Sequence, residues 1–431
     1  MNFPFLLSGP GCPVVLFLRL AMLGAALAAN CRLLTAETIL PKTFDLSALG
    51  PSVTYSAASG FGFDLGSQPS TEKPKPFYFS VAVPEGNYRV TITFGDAKTA
   101  SEETLRCECR QLLLENLSTP AGTVITRSFI VNVRTPTLPP PPPNAPGSTA
   151  VRLNPREVGN LRWDDKLTLE FDGAAPRVTS IAVEPARVST VFLAGDSTVT
   201  DQPNEPAASW GQMLPRFFKP EVAVANHAES GETLKSFVAS LRLAKILSQI
   251  QSGDYLFIQF GHNDEKKNWP QTYVEPRTTY KDYLRVFISE ARLRGATPVL
   301  ITSMQRRTFD KHGAIINTHG DYPEAVRELA REQKVTLIDL ERMSTAFYEA
   351  LGPELSPIAF NQHGKDPTHH DNYGAYELAK CVVQGIRDAH LPLADQIVED
   401  FTGFDPAHPD SPESFKLPAS LANEAGSIRG N

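Results

Sequence analysis

The spacing of apolar positions changes near residue 190, and the two textures predict two kinds of structure. Between about 37 and 186, apolar and polar residues alternate in short runs. PFYFSVAVPEGNYRVTITFGD holds two such runs with a Pro-Glu-Gly-Asn turn between them. ITRSFIVNVRT, KLTLEFDG and RVTSIAVEP continue the pattern. Successive side chains of a strand point to opposite faces, so this alternation predicts strands buried on one side. Many short strands bounded by turn residues predict a β-sandwich or jelly roll. A proline run, TPTLPPPPPNAPGS (135–148), interrupts the region. Alone it would read as a stiff linker between domains. Strand-like segments of the same texture resume after it, so we read it as a long surface loop inside the β domain.

From Thr190 onward the runs are almost continuously apolar: STVFLAG, EVAVANH, DYLFIQFG, ATPVLITSM and KVTLIDLE. Helical patterns separate them. In TTYKDYLRVFISEARLRG, Tyr280, Tyr283, Leu284, Phe287, Ile288 and Ala291 fall on one face, with Gly295 just past the end. Strands apolar on both faces and alternating with helices belong to a parallel sheet covered on both sides. Residues 187–395 are therefore expected to form a flavodoxin-like, doubly wound domain on a parallel five-stranded sheet, ending in the helix NYGAYELAKCVVQGIRDAH. The tail, 396–431, is rich in Pro, Asp and Ser and is expected to be irregular.

The first residues fit neither texture. MNFPFLLSGPGCPVVLFLRLAMLGAALAANC carries one charge, Arg19, then an apolar stretch and small residues. This is the pattern of a signal peptide over 1–28, with cleavage after Ala28 or near Ala36. The mature protein is then secreted or periplasmic. A retained N-terminal anchor is the alternative. No other stretch reaches the ~20 apolar residues of a membrane span, so no membrane contact is expected after cleavage.

The 431 residues carry a formal net charge of −7 and no block of Lys or Arg, which argues against a nucleic-acid partner. Cys107 and Cys109 form a C-x-C pair with no zinc-site partners nearby, expected to be half-buried thiols sharing a strand face. Cys381 lies far away in a helical pattern, and no disulfide framework follows. Oligomeric state is left open.

In doubly wound domains, sites gather at the carboxyl ends of the strands, and here those ends are polar. The first strand ends in Gly195-Asp196-Ser197, the second leads into NHAESGET with Gly231, and the third ends in Gly261-His262-Asn263-Asp264. DPTHHDNYGA precedes the last helix, with Asp366, His369 and His370. A serine nucleophile needs a base, and the base needs an acid to orient it. Asp366 and His369, three apart, can place a carboxylate on the far nitrogen of the imidazole. The Ser197 N–H, the Gly231 N–H and the Asn263 amide can serve a developing oxyanion. Asp196 reads as a brace for the turn, His262 as a neighbour of the site and Asp264 as a cap for the next helix. Taken singly, each segment also reads as a turn or a helix cap.

GDST, the loop glycine, G-x-N-D and D-x-x-H in this order resemble the SGNH (GDSL-like) hydrolases over about 190–390. Trp210-Gly211 and the D-x-T-H-x-x-x-x-G-A pattern are most similar to the rhamnogalacturonan acetylesterase branch, whose members remove acetyl groups from pectic backbones. The resemblance implies Ser197 as nucleophile, His369 as base, Asp366 as its orienter, an oxyanion hole of Ser197, Gly231 and Asn263, no cofactor and no metal. The implied partner is an acetylated polysaccharide, with rhamnogalacturonan ahead of xylan. Acidic residues around Gly231, in AESGET, depart from a plain oxyanion loop. The β region (37–186) resembles galactose-binding-like modules in texture and position. Three alternatives stay open. They are a metal-dependent phosphoesterase on Asp196, His262, Asn263, Asp366, His369 and His370, a non-catalytic glycan-binding protein, and a lipase or thioesterase. The polar DQPNEPAASW after GDST favours a short acyl group over the last.

Overall fold

The computed structural model describes residues 41–50, 52–69 and 74–422. The leader with its cleavage sites, and residues 423–431 of the tail, lie outside the described residues. Nine strands come first: β1 (Lys42–Asp45), β2 (Phe61–Asp64), β3 (Phe77–Ala82), β4 (Gly86–Asp96), β5 (Ser101–Cys107), β6 (Gln111–Thr119), β7 (Thr123–Val133), β8 (Lys166–Ala175) and β9 (Val178–Pro185). They form two antiparallel sheets, β1-β9-β4-β7 and β2-β3-β8-β5-β6. Phe79, Val81, Leu105, Leu169 and Phe171 of one sheet pack on Val90, Ile92, Phe94, Val131, Ile181 and Val183 of the other. This is a β-sandwich, and its alternating runs supply the two inner faces.

The Pro84-Glu85 turn joins two strands in opposite sheets, β3 and β4. Each run has its own apolar face, and the turn crosses between layers so that the two faces meet. Cys107 and Cys109 do not share a strand face: β5 ends at Cys107, the backbone turns at Glu108 (φ 50°), and both thiols are free and fully buried. Cys381 is also free and buried. The proline run lies in the long connection between β7 and β8, with no strand of its own.

The second half begins with β10 (Ser189–Gly195), followed by β11 (Val222–Asn226), β12 (Tyr255–Gln259), β13 (Thr297–Ile301) and β14 (Thr336–Ile338). All pair in parallel, in the order β11-β10-β12-β13-β14. The helices are α1 (Trp210–Met213), α2 (Leu234–Ala239), α3 (Arg242–Leu247), α4 (Lys281–Leu293), α5 (Tyr322–Gln333), α6 (Leu340–Leu355) and α7 (Asn372–Asp388). Val191 and Leu193 of β10 join Trp210, Phe347, Leu378 and Val382 in one core, while Phe192 and Ala194 join Phe237, Leu284, Phe287 and Leu329 in another. Burial of both faces explains the unbroken apolar runs. The expected face of α4 points inward: Leu284, Phe287, Ile288 and Ala291 are fully buried. Tyr280 sits in a single wide turn, Pro276–Tyr280, just ahead of the helix.

Among the described residues, 397–422 form no helix or strand, yet they are tied down. Tyr373 Oη and Lys380 Nζ of α7 donate to Asp410 at 2.7 Å each, while Arg106 Nη2 of β5 donates to Pro418 O at 2.6 Å. The tail thus straps α7 to the sandwich. Among the described residues no helix is long and apolar enough to cross a membrane.

Phe287 meets Phe237 and Phe260 with ring centroids 5.9 and 5.8 Å apart and has no exposed surface. Phe287→Ala should therefore cost about 3–5 kcal/mol, read as a lowered denaturant midpoint with an unchanged far-ultraviolet spectrum.

Candidate active site

Gly195, the last residue of β10, has no room for a side chain. A Cβ on Gly195 would lie 2.6 Å from Val199 Cγ2 and 3.0 Å from Gln259 O. The chain folds back in a turn in which Val199 and Thr200 N–H donate to Asp196 O at 3.1 and 3.0 Å. Asp196 Oδ1 braces that turn, accepting from the N–H and hydroxyl of Thr198 at 2.9 and 2.7 Å. Ser197 sits at its tip. Gln202 Nε2 donates to Ser197 O at 2.7 Å and pins the backbone from the far side.

The histidine arrives from a loop clamped at both ends. Phe360 pairs with His370, Asn361 N–H donates to His369 O at 2.8 Å, and Ala208 N–H donates to His370 O at 2.9 Å. Within the loop, Asp366 Oδ1 accepts the N–H groups of Thr368 and His369 at 3.0 and 3.1 Å. That turn explains the D-x-x-H spacing: it swings Asp366 Oδ2 to 2.8 Å from His369 Nδ1. His369 Nε2 then lies 2.8 Å from Ser197 Oγ. Burial pushes the Asp366 carboxyl up, but the His369 imidazole and the two N–H donors outweigh it and hold it down to about 2. A carboxylate ionised at any ordinary pH fixes the proton on Nδ1 and leaves Nε2 free to accept one from serine.

His370 turns the other way. Its Nε2 pairs with Tyr348 Oη at 2.7 Å, its ring packs on Tyr348 and Phe360, and burial pushes it down to about 3. It is a neutral core histidine. His262 is a buried neighbour whose Nδ1 lies 3.6 Å from Asp196 Oδ2, beyond hydrogen-bond reach. Burial, then His319, push it down to about 4. Of the six residues read as possible metal ligands, Asp366 pairs with His369, Asp196 faces His262, and His370 turns into the core. Among the described residues no group of three or more His, Cys, Asp or Glu is arranged to hold an ion.

Gly231 (φ 82°) adopts a conformation costly for any residue with a Cβ, and neither its N–H nor that of Ser197 donates within the described residues. Asn263 Nδ2 donates to Glu232 O at 3.1 Å, which leaves its second N–H for a ligand. Asp264 departs from its expected role. Its Oδ1 accepts from Leu234 N at 2.9 Å and caps α2, not the helix that follows it in sequence. The end of β12 therefore grips the loop after β11 at two points. The acidic residues around Gly231 are neutralised rather than aimed at the site. Glu229 is held by Arg156 Nε at 2.6 Å and by Arg162, and Glu232 by Arg242 Nε at 3.1 Å. Arg156 and Arg162 come from the β7–β8 connection. Nothing in their sequence neighbourhood marks them for this site.

A model of the GDSL-like lipase/acylhydrolase family matches residues 193–368. Rhamnogalacturonan acetylesterase RhgT of Bacillus subtilis strain 168 is 45% identical over 221 residues, 48% of this chain and 94% of that protein. Probable rhamnogalacturonan acetylesterase YesY of the same strain is 41% identical over 215 residues, 49% of this chain and 98% of that protein. The chain belongs to the GDSL-like lipase/acylhydrolase family. An X-ray structure of the Bacillus subtilis protein YxiM, 23% identical, covers 81% of this chain and 99% of that chain with a TM-score of 0.47. In this GDSL-like chain the matched span runs from Leu193 in β10 to Thr368, and includes Ser197, Gly231, Asn263 and Asp366. His369 follows by one residue.

Asp366→Asn keeps the shape but offers His369 an amide in place of a carboxylate. Hydrolysis of 4-nitrophenyl acetate should fall about 10³–10⁴-fold in kcat. The stability effect has a defined sign. A carboxyl depressed from ~3.9 in the unfolded chain to about 2 in the folded one stabilises fully above pH ~4 and loses that contribution as pH falls towards about 2. The Tm gap between native protein and Asp366→Asn should shrink over that window.

Proposed function

We propose that the chain is a serine esterase that removes acetyl groups from acetylated rhamnogalacturonan. One observation carries the chemistry: Ser197 Oγ, His369 and Asp366 form an unbroken relay of 2.8 Å contacts beside unspent N–H donors. The substrate class rests on the relatives, whose names assign them to rhamnogalacturonan.

In this reading Ser197 Oγ attacks the acetyl carbonyl carbon and its proton passes to His369 Nε2. The carbonyl π pair moves onto oxygen, where the N–H groups of Ser197 and Gly231 and the Asn263 amide receive it. Asp366 stays ionised and stabilises the imidazolium. Collapse breaks the bond to the sugar oxygen, which takes the proton from His369 and leaves as a hydroxyl. Water then attacks the acetyl-enzyme, giving its proton to His369. The second collapse returns that proton to Ser197 and releases acetate. No step requires a metal or cofactor.

We also propose that residues 1–28 direct export to the periplasm or medium and are removed. N-terminal sequencing of exported protein should read a start after Ala28 or Ala36; retention of Met1 in the exported protein overturns this.

Acetate release from acetylated rhamnogalacturonan, xylan and mannan tests the main reading. Rhamnogalacturonan should be the fastest, and Ser197→Ala should lose roughly 10⁴–10⁶ in kcat together with labelling by a fluorophosphonate. Faster release from xylan reassigns the polysaccharide. Activity abolished by chelator, with no fluorophosphonate label, overturns the serine mechanism.

A further inference from the structure

Two loops must hold still for this chemistry: the nucleophile turn, 196–200, and the oxyanion loop, 228–232. Both are gripped by arginines from the β-sandwich half. Arg162 is almost wholly buried, and its Nη1 donates both to Thr200 Oγ1 at 2.7 Å and to Glu229 Oε2. Thr200 Oγ1 in turn donates to Ala228 O at 2.7 Å. One guanidinium therefore bridges the nucleophile turn to the oxyanion loop. Arg156 adds a second grip, donating through Nε to Glu229 at 2.6 Å and through Nη2 to Ser230 O, the carbonyl of the peptide whose N–H is that of Gly231.

The β5–β6 turn makes a third contact. Arg110 Nη1 donates to Gln202 O at 2.9 Å and Ala207 O at 3.0 Å, while Gln202 Nε2 holds Ser197 O. A guanidinium presents its donors in a rigid fork, so each arginine fixes direction as well as distance. RhgT aligns over 94% of its own length with only 48% of this chain. Most of the other half of this chain therefore has no counterpart in that protein.

We propose that the β-sandwich half is a positioning element of the esterase site, with Arg162 as its principal positioning residue and Arg156 and Arg110 in support. Arg162 touches no reacting atom. It acts through Thr200 and Glu229, setting the Gly231 N–H against Ser197 Oγ so that an oxyanion forms where a donor already waits. This rests on the esterase reading above. It also gives the sandwich a role that requires no sugar to bind it.

The test uses the full chain, 4-nitrophenyl acetate and a trifluoromethyl ketone, which adds to Ser197 and places its oxygen in the oxyanion hole. Arg162→Met should lower kcat roughly 10–100-fold with KM near native, and should weaken the ketone by the same factor. Arg162→Lys, which keeps a cation and N–H donors but not the fork, should recover part of both. Arg216→Gln serves as the control. Arg216 also joins the two halves, contacting Glu115 of β6, but has no bond to either loop. Its variant should lose Tm and keep native kcat. If Arg162→Met does not fold, Arg156→Gln, at a more exposed position, should show a smaller loss of the same kind.

Native kcat in a folded variant overturns the proposal. So does a kcat loss without a matching loss of ketone affinity, or an equal kcat loss in Arg216→Gln. A native protein inactive on acetyl esters would instead sink the esterase reading itself, so the two failures are distinguishable.

Discussion

Strand β10 has β11 on one side and β12 on the other, and its place fixes where chemistry can happen. The chain leaves β10 for one neighbour and later crosses back to the other, opening a crevice at the carboxyl edge. Adjacent strands lie about 4.8 Å apart. Loops leaving their ends can thus converge on a single carbonyl oxygen without long excursions. Ser197, Gly231 and Asn263 follow three neighbouring strands, β10, β11 and β12. Only His369 travels far, and its loop is correspondingly clamped by backbone bonds at both ends.

Placing loops this tightly buries charge. Glu229, Glu232 and Asp201 are all nearly inaccessible to solvent. A buried carboxylate that loses its partner costs about 3–5 kcal/mol, so each must be met inside the fold. The partners come largely from the sandwich: Arg156 and Arg162 for Glu229, Arg134 and Gln111 for Asp201. Glu232 is met from within the α/β half, by Arg242, which also pairs with Glu157 of the β7–β8 connection. The two halves therefore share one set of charges. Separating them at the seam would strand carboxylates beside the site as well as expose apolar surface.

The sheet and the order of its strand ends were legible because they depend on local patterns. A strand buried on both faces must be apolar throughout, and a turn that displays a serine must be short and small. The same logic failed where partners are set in three dimensions. Asp264 was expected to cap the helix after it, but the N–H nearest its carboxylate is that of Leu234, thirty residues earlier. Cys107 and Cys109 have the spacing of a shared strand face, but β5 ends at Cys107 and the backbone turns at Glu108. Arg110, Arg156 and Arg162 gave no signal at all. They are scattered single charges, and only apposition of the halves turns them towards the same two loops.

Residue type alone does not single out His369 either. The crevice and its surroundings hold two histidine–aspartate pairs, and His370 and His319 besides. His262 faces Asp196 across 3.6 Å, too far for a hydrogen bond, and burial keeps it neutral. His370 spends its ring nitrogen on a tyrosine in the core. Only His369 has a carboxylate on one nitrogen and a serine hydroxyl on the other, each at 2.8 Å. Asp196 could not serve as that carboxylate, because Oδ1 is committed to Thr198 and shapes the turn that carries Ser197. Asp196 builds the turn that carries Ser197, and Asp366, three residues from His369, holds the imidazole. That division of labour follows from backbone geometry, since one short turn cannot both display the serine and reach around to the far side of the imidazole.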